Sequence, residues 1–190
     1  MVFLEGIPVR SSKLHLLSGF LFGLSFVFVS LSLSATAQAT APNEWTWVGG
    51  NNTIGSNCEE SFCGRIGVYG NLGTFAPGNI PGGRVNAMNW TDSSGNFWLF
   101  GGVGFDADGL DVSLNDLWEF NPSTNEWAWE GGSSNAGPDN GTPGVYGTLE
   151  TPATGNLPGS REAAANWNDN SGNFWLLGAR ASMPTTIAVF

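Results

Sequence analysis

The octet GNFWLFGG (Gly95–Gly102) returns as GNFWLLGA (Gly172–Ala179), 77 residues further on. The same offset relates GVYG at Gly67 and Gly144, the arginine of PG-x-R at Arg84 and Arg161, and Asn-Trp at Asn89 and Asn166. From Gly67 to Gly102, about two thirds of positions are identical to their partners, so the chain carries a duplicated unit. A further pair, Trp45-Thr-Trp47-Val-Gly-Gly50 and Trp127-Ala-Trp129-Glu-Gly-Gly132, lies 82 apart. The five extra residues fall between Gly50 and Gly67, where both cysteines sit.

Within the unit, short apolar runs alternate with turn residues, the pattern of an antiparallel meander. Arg84–Trp90 is the first expected strand, Asp92-Ser-Ser-Gly95 the turn after it, and Asn96–Phe100 the second strand, closed by Gly101-Gly102. Asn115–Phe120 and Glu126–Glu130 follow around Asn121-Pro-Ser-Thr-Asn125. Trp127 and Trp129, two apart, share a face of the last strand.

Residues 1–39 read as a segment apart. Arg10 and Lys13 precede an apolar stretch from Leu16 to Leu33, and Ala35-Thr-Ala37-Gln-Ala39 supplies small residues at alternate positions. That is the layout of a helical, cleavable export signal, favoured over a membrane anchor because serines dilute the run. Its removal takes away Arg10, Lys13 and His15. What remains has no lysine or histidine, only Arg65, Arg84, Arg161 and Arg180 against fifteen carboxylates, the sixteen of the whole chain less Glu5. So acidic a surface disfavours nucleic acid and, after signal cleavage, membrane as partners. A secreted, periplasmic or cell-surface location is expected. In that setting the close pair Cys58 and Cys63 reads as a local disulfide in preference to free thiols. Four-ligand zinc is not supported, as no histidine remains.

A four-stranded unit cannot cover both its faces and must stack on others of its kind. The glycine doublet Gly101-Gly102 ending the second strand, Phe120 ending the third, and Trp127 after six residues resemble the kelch repeat. Phe120 stands where kelch blades usually carry tyrosine, and the second doublet is broken by Ala179. The resemblance covers about Trp45 to Ala179. It implies an all-β fold of kelch-type β-propeller blades: one complete blade, half of a second, and Trp45–Gly50 as an orphan strand of the kind that closes such rings. The division expected is 1–39 signal; 40–83 closing strand and long loop; 84–132 complete blade; 133–160 inter-blade loop; 161–179 half blade; 180–190 off-pattern tail. Propellers need about four blades or more, so the chain reads as a fragment whose unpaired blade edges favour self-association.

Parity places the connections 51–83, 103–114 and 133–160 at one end of the sheet, where binding loops gather. Tyr69, Tyr146, Phe105, Asp106, Asp108 and Asp111 are the candidate binding residues there, for an unidentified protein or carbohydrate; packing over the sheet ends is the competing role. The three aspartates on Gly101-Gly-Val-Gly-Phe-Asp106-Ala-Asp108-Gly-Leu-Asp111 depart from the familiar calcium loops. Solvated turn acids are the preferred reading, and no cofactor is expected, with calcium the alternative kept open. Arg84 and Arg161 read as structural, each paired to a carboxylate or loop carbonyl. The resemblance also reaches galactose-oxidase-like oxidases and sugar-acid epimerases. The oxidases' copper site needs histidines and a cysteine-linked tyrosine, which the mature chain lacks. The expectation is therefore a non-catalytic binding module, not an enzyme; the alternative is part of a carbohydrate-active oxidase, epimerase or hydrolase.

Overall fold

The computed structural model describes residues 2–4, 45–53, 63–136, 141–178 and 180–181. Among them the chain is all-β, its strands pair antiparallel wherever their register is defined, and it has no helix. It divides into two compact units, Val2–Val48 and Gly49–Phe190.

The first unit contains a two-stranded sheet of β1 (Val2–Leu4) and β2 (Thr46–Gly49). Of the expected helical signal only Val2–Leu4 is described, and it is extended. The rest of 1–39 lies outside the described residues. The stretch expected to be an orphan strand therefore has a partner, β1.

The second unit holds both repeats. Here β3 (Arg84–Val85) and β4 (Met88–Thr91) pair successively with one edge of β5 (Phe97–Phe105), whose other edge pairs with β6 (Asp111–Asn121), and β7 (Glu126–Gly131) completes the sheet. The sheet is thus four strands wide. The single strand expected over Arg84–Trp90 is split because Asn86 takes a left-handed backbone (φ 55°). The glycine doublet was expected to end the second strand, but β5 runs through it. Gly101 and Gly102 adopt φ of 60° and 94°, and a register shift between Phe100 and Gly102 absorbs the extra residue as a bulge. Glycine is required there, since a Cβ on Gly101 would stand 2.7 Å from the Arg161 carbonyl oxygen and 2.9 Å from that of Leu114.

The second repeat reproduces this edge residue for residue. β8 (Arg161–Glu162) and β9 (Ala165–Asn168) face β10 (Phe174–Leu177) and β11 (Arg180–Ala181). Arg180 pairs with Glu162 as Val103 does with Val85, so the repeat register continues past Ala179. Ala163 copies the left-handed turn of Asn86, at φ 52°.

Both hairpins are built around one carboxylate. Asp92 accepts from the backbone N–H groups of Ser94 and Asn96 and from the Trp98 indole at 3.0 Å. Asp169 accepts from Ser171, Asn173 and the Trp175 indole in the same way. Burial is the largest single influence and raises it, but these hydrogen bonds together hold Asp92 below the usual carboxylate range. Asp169 is held lower still, chiefly by the Asn173 and Trp175 side chains.

The main apolar core lies between the repeats. Met88, Trp90 and Phe100 of the first pack with Leu176 of the second, flanked by Trp98, Leu117, Ala164 and Phe174. Trp90 stacks on Phe174 with ring centres 5.4 Å apart. Burying such aromatic pairs is what lets so few side chains hold the layer. Across the same boundary the Asn166 and Asn168 side-chain amides donate to the Asn89 and Thr91 carbonyls.

Candidate functional site

Two constellations carry the chemistry, one inside the first repeat and one at its end. The inner one is centred on Asp116, a fully buried residue of β6. Arg84 reaches it in a bidentate pair, Nη1 donating to Oδ1 at 2.6 Å and Nη2 to Oδ2 at 2.7 Å. The Tyr69 hydroxyl and the Trp118 indole also donate to Oδ2, each at 2.7 Å. Arg84 Nε and Nη1 further cap the carbonyls of Gly82 and Gly101, so the guanidinium ties loop, bulge and core together. Burial, reinforced by the Asp116 charge, pushes the Tyr69 hydroxyl far above the usual tyrosine range. Against its own burial, Arg84 is held firmly charged by Asp116.

Tyr69 was expected on a loop face open to ligand, but it is 6% exposed and packs against Trp118 and Trp129, with ring centres 4.8 and 5.4 Å away. Its hydroxyl is occupied within the core. Arg84 is bonded to a carboxylate and to two loop carbonyls, and its partner Asp116 was not singled out in the sequence. Asp116 is one of two carboxylates, with Glu119, in the stretch Leu114–Phe120, and nothing local separates the two. Phe120 and Trp127 meet with ring centres 5.0 Å apart, and Gly101 and Gly102 form the bulge, so these repeat positions are structural.

The second constellation is the sheet end where β5 turns into β6. The connection expected over 103–114 is shorter than that, because both strands extend into it and leave only Asp106–Leu110. Asp106 is fully buried, and its carboxylate accepts from the N–H groups of Asp108 and Leu110, both at 2.9 Å, and of Ala136 at 3.1 Å. Its own carbonyl accepts from Gly67. One aspartate therefore pins three loops together, and its oxygens are directed at backbone donors. Phe105 is half-buried, its N–H donating to Gly83. Asp108 accepts from the Asn135 side chain, and Asp108 and Asp111 are exposed beside exposed Ile66 and Leu110. Asp108, Asp111 and half-buried Phe105 are thus brought to one end, whereas Asp106 and Tyr69 are inside. Among the described residues no three His, Cys, Asp or Glu side chains are grouped to hold a metal ion.

In the second repeat Tyr146 and Arg161 are neighbours, Arg161 Nη2 lying 3.3 Å from the Tyr146 hydroxyl. Cys63 is not a free thiol, while Cys58 lies outside the described residues.

Over 48 residues the chain is 38% identical to N-acetylneuraminate epimerase of Escherichia coli strain K12 and of Shigella sonnei, and to N-acetylneuraminate epimerase 2 of Escherichia coli O6:H1. The matched stretch is 25% of this chain and 13% of each relative. No family model matches the chain, and no solved structure matches it. The expectation of a non-enzyme is overturned by this finding, since the relatives are enzymes by name. A match so short does not itself establish catalysis here.

Proposed function

We propose that this chain supplies repeats of a kelch-type propeller that handles acidic sugars, of the sugar-acid epimerase kind. The observation that carries the reading is the 48-residue likeness to N-acetylneuraminate epimerase. Two consecutive antiparallel units, packed face to face through Trp90 and Phe174, are the arrangement such a ring requires. The sugar-binding surface is the sheet end that carries Phe105, Asp108 and Asp111, and Tyr146 with Arg161, the counterparts of Tyr69 and Arg84, supply polar groups in the second repeat. Export and a Cys58–Cys63 disulfide belong to the same reading.

The test is saturation-transfer NMR on the full chain with N-acetylneuraminate, and with N-acetylglucosamine as a neutral control. Transfer to N-acetylneuraminate alone, weakened by Arg161→Ala, is the expected result. Equal transfer to both sugars, or to neither, sinks the proposal. The same samples report whether the interconversion of sugar anomers is accelerated.

A further inference from the structure

β7 is the last strand of its sheet, with β6 on one edge and, on the other, an edge of the kind through which sheets add further strands. The loop of residues 68–80 covers that second edge. Gly73 N–H donates to the Trp129 carbonyl at 2.7 Å, Ala76 N–H to the Trp127 carbonyl at 3.4 Å, and Asn79 Nδ2 to the same Trp127 carbonyl at 3.1 Å. Ala76 and Trp127 are antiparallel bridge partners, so the loop here takes the place of a further strand.

The loop is a self-supported strap. Reciprocal backbone bonds of 2.8 and 2.9 Å between Val68 and Ile80 close its ends. Within it, Thr74 N–H reaches the Asn71 carbonyl, and Asn79 Nδ2 the Thr74 carbonyl. The second repeat reproduces these bonds at the equivalent positions, between Val145 and Leu157, Thr151 and Thr148, and Asn156 and Thr151. The internal bonds shape the strap, and the bonds to β7 dock it. A strap shaped in advance has little left to order on docking.

The groups beneath the strap are self-complementary. In a strand the N–H and C=O of one residue point to the same edge, and residues two apart share it. Trp127 and Trp129 therefore both present their backbone groups to the strap. An antiparallel second β7, turned about Ala128, sets Trp127 of each copy opposite Trp129 of the other, the isologous arrangement of a two-fold dimer. The same register brings Glu126 of each copy opposite Glu130 of the other, a repulsion that salt screens.

We propose that the strap is an edge guard: it occupies the edge at which β7 would otherwise pair with β7 of a second copy, and its release turns that edge into a dimerisation surface. This inference stands independently of the sugar proposal.

The test compares the full chain with its Gly73→Pro, Asn79→Ala double variant. Proline removes the Gly73 donor and cannot hold the φ of 67° found there, and Asn79→Ala removes the side-chain bond to Trp127. Light scattering is expected to give the variant about twice the mass of wild type at the same concentration, more completely at high salt. Hydrogen exchange at the Trp127 and Trp129 amides is expected to be fast in the dilute variant and to slow about tenfold or more as its concentration rises. An unchanged mass overturns the proposal. Association that leaves the Trp127 and Trp129 amides unprotected also overturns it, because the contact then lies elsewhere. Loss of protection throughout β5 and β6 would mean that the double variant is unfolded, and Asn79→Ala alone, which leaves the backbone of the strap unaltered, then decides by the same two criteria.

Discussion

The Asn166 side-chain amide donates to the Asn89 carbonyl at 2.6 Å, and the two residues occupy the same position in successive repeats, 77 apart. Asn168 reaches the Thr91 carbonyl at 2.8 Å across the same offset. One repeat thus recognises the backbone of the previous one at the position equivalent to its own. Replacing Asn166 with alanine removes one such bond at an exposed site. A loss of about 0.5–1 kcal/mol is expected in urea unfolding, with a larger loss for the Asn166→Ala, Asn168→Ala pair. A double variant as stable as wild type would show that the apolar layer alone joins the repeats.

The bulge in β5 predicts a contrast between equivalent glycines. Gly101→Ala must place its Cβ against two carbonyl oxygens as well as adopt a left-handed backbone, whereas Gly178→Ala, at φ 74°, meets nothing within 4 Å. The expected cost is about 1 kcal/mol at Gly178 and well above that at Gly101. Comparison of the two urea midpoints tests this, and equal shifts would contradict the packing described at the bulge.

Removing one member of the buried Arg84–Asp116 pair leaves the other charge stranded. Asp116→Asn or Arg84→Met is expected to destabilise by about 3–5 kcal/mol. Arg65→Met, which loses only exposed bonds to Thr53, is expected to lie within about 0.5 kcal/mol of wild type. Thermal or urea unfolding of the three variants separates them.

Tyr69 makes the alkaline limb of stability predictable in sign. Its folded-state pKa is raised by burial and by Asp116, whereas in the unfolded chain it ionises near pH 10. Its contribution is therefore complete below about pH 10 and declines as the pH rises beyond that. In a Tyr146→Phe variant, the tyrosinate absorbance of Tyr69 should emerge together with unfolding. Its appearance in the folded protein near pH 10 would refute the buried hydrogen bond.

Ala163 holds the left-handed conformation that Asn86 holds in the first repeat. Asparagine tolerates that region better than alanine. Ala163→Asn is expected to stabilise by up to about 1 kcal/mol, read from the urea midpoint; a destabilised variant would show that the extra side-chain atoms do not fit.

The repeat and its offset were legible in the sequence because identity at 77 residues needs no folding argument. The position of each turn followed from Asp92, Gly95 and Asn121 in the same way. Strand length was not legible. A glycine pair reads as a break when only local preference is considered, yet at Gly101-Gly102 the pairing on both edges carries the strand through. Nor could Tyr69 be assigned to the core, since its partner Asp116 is 47 residues away and nothing local marks the tyrosine as buried. The turn aspartates 106, 108 and 111 looked alike as a cluster. Only the fold distinguishes Asp106, which is consumed by backbone donors, from the two that face solvent.

The paired carboxylate–indole contacts give each hairpin a built-in optical reporter. Trp98 and Trp175 emit beside a negative charge that is lost with Asp92 and with Asp169 respectively. Because both carboxylates are held below their ordinary range, acid must protonate them before either reporter changes, and stability is lost on the same descent. Silencing one contact with Asp92→Asn and the other with Asp169→Asn allows the order in which the two repeats come apart to be followed from fluorescence alone.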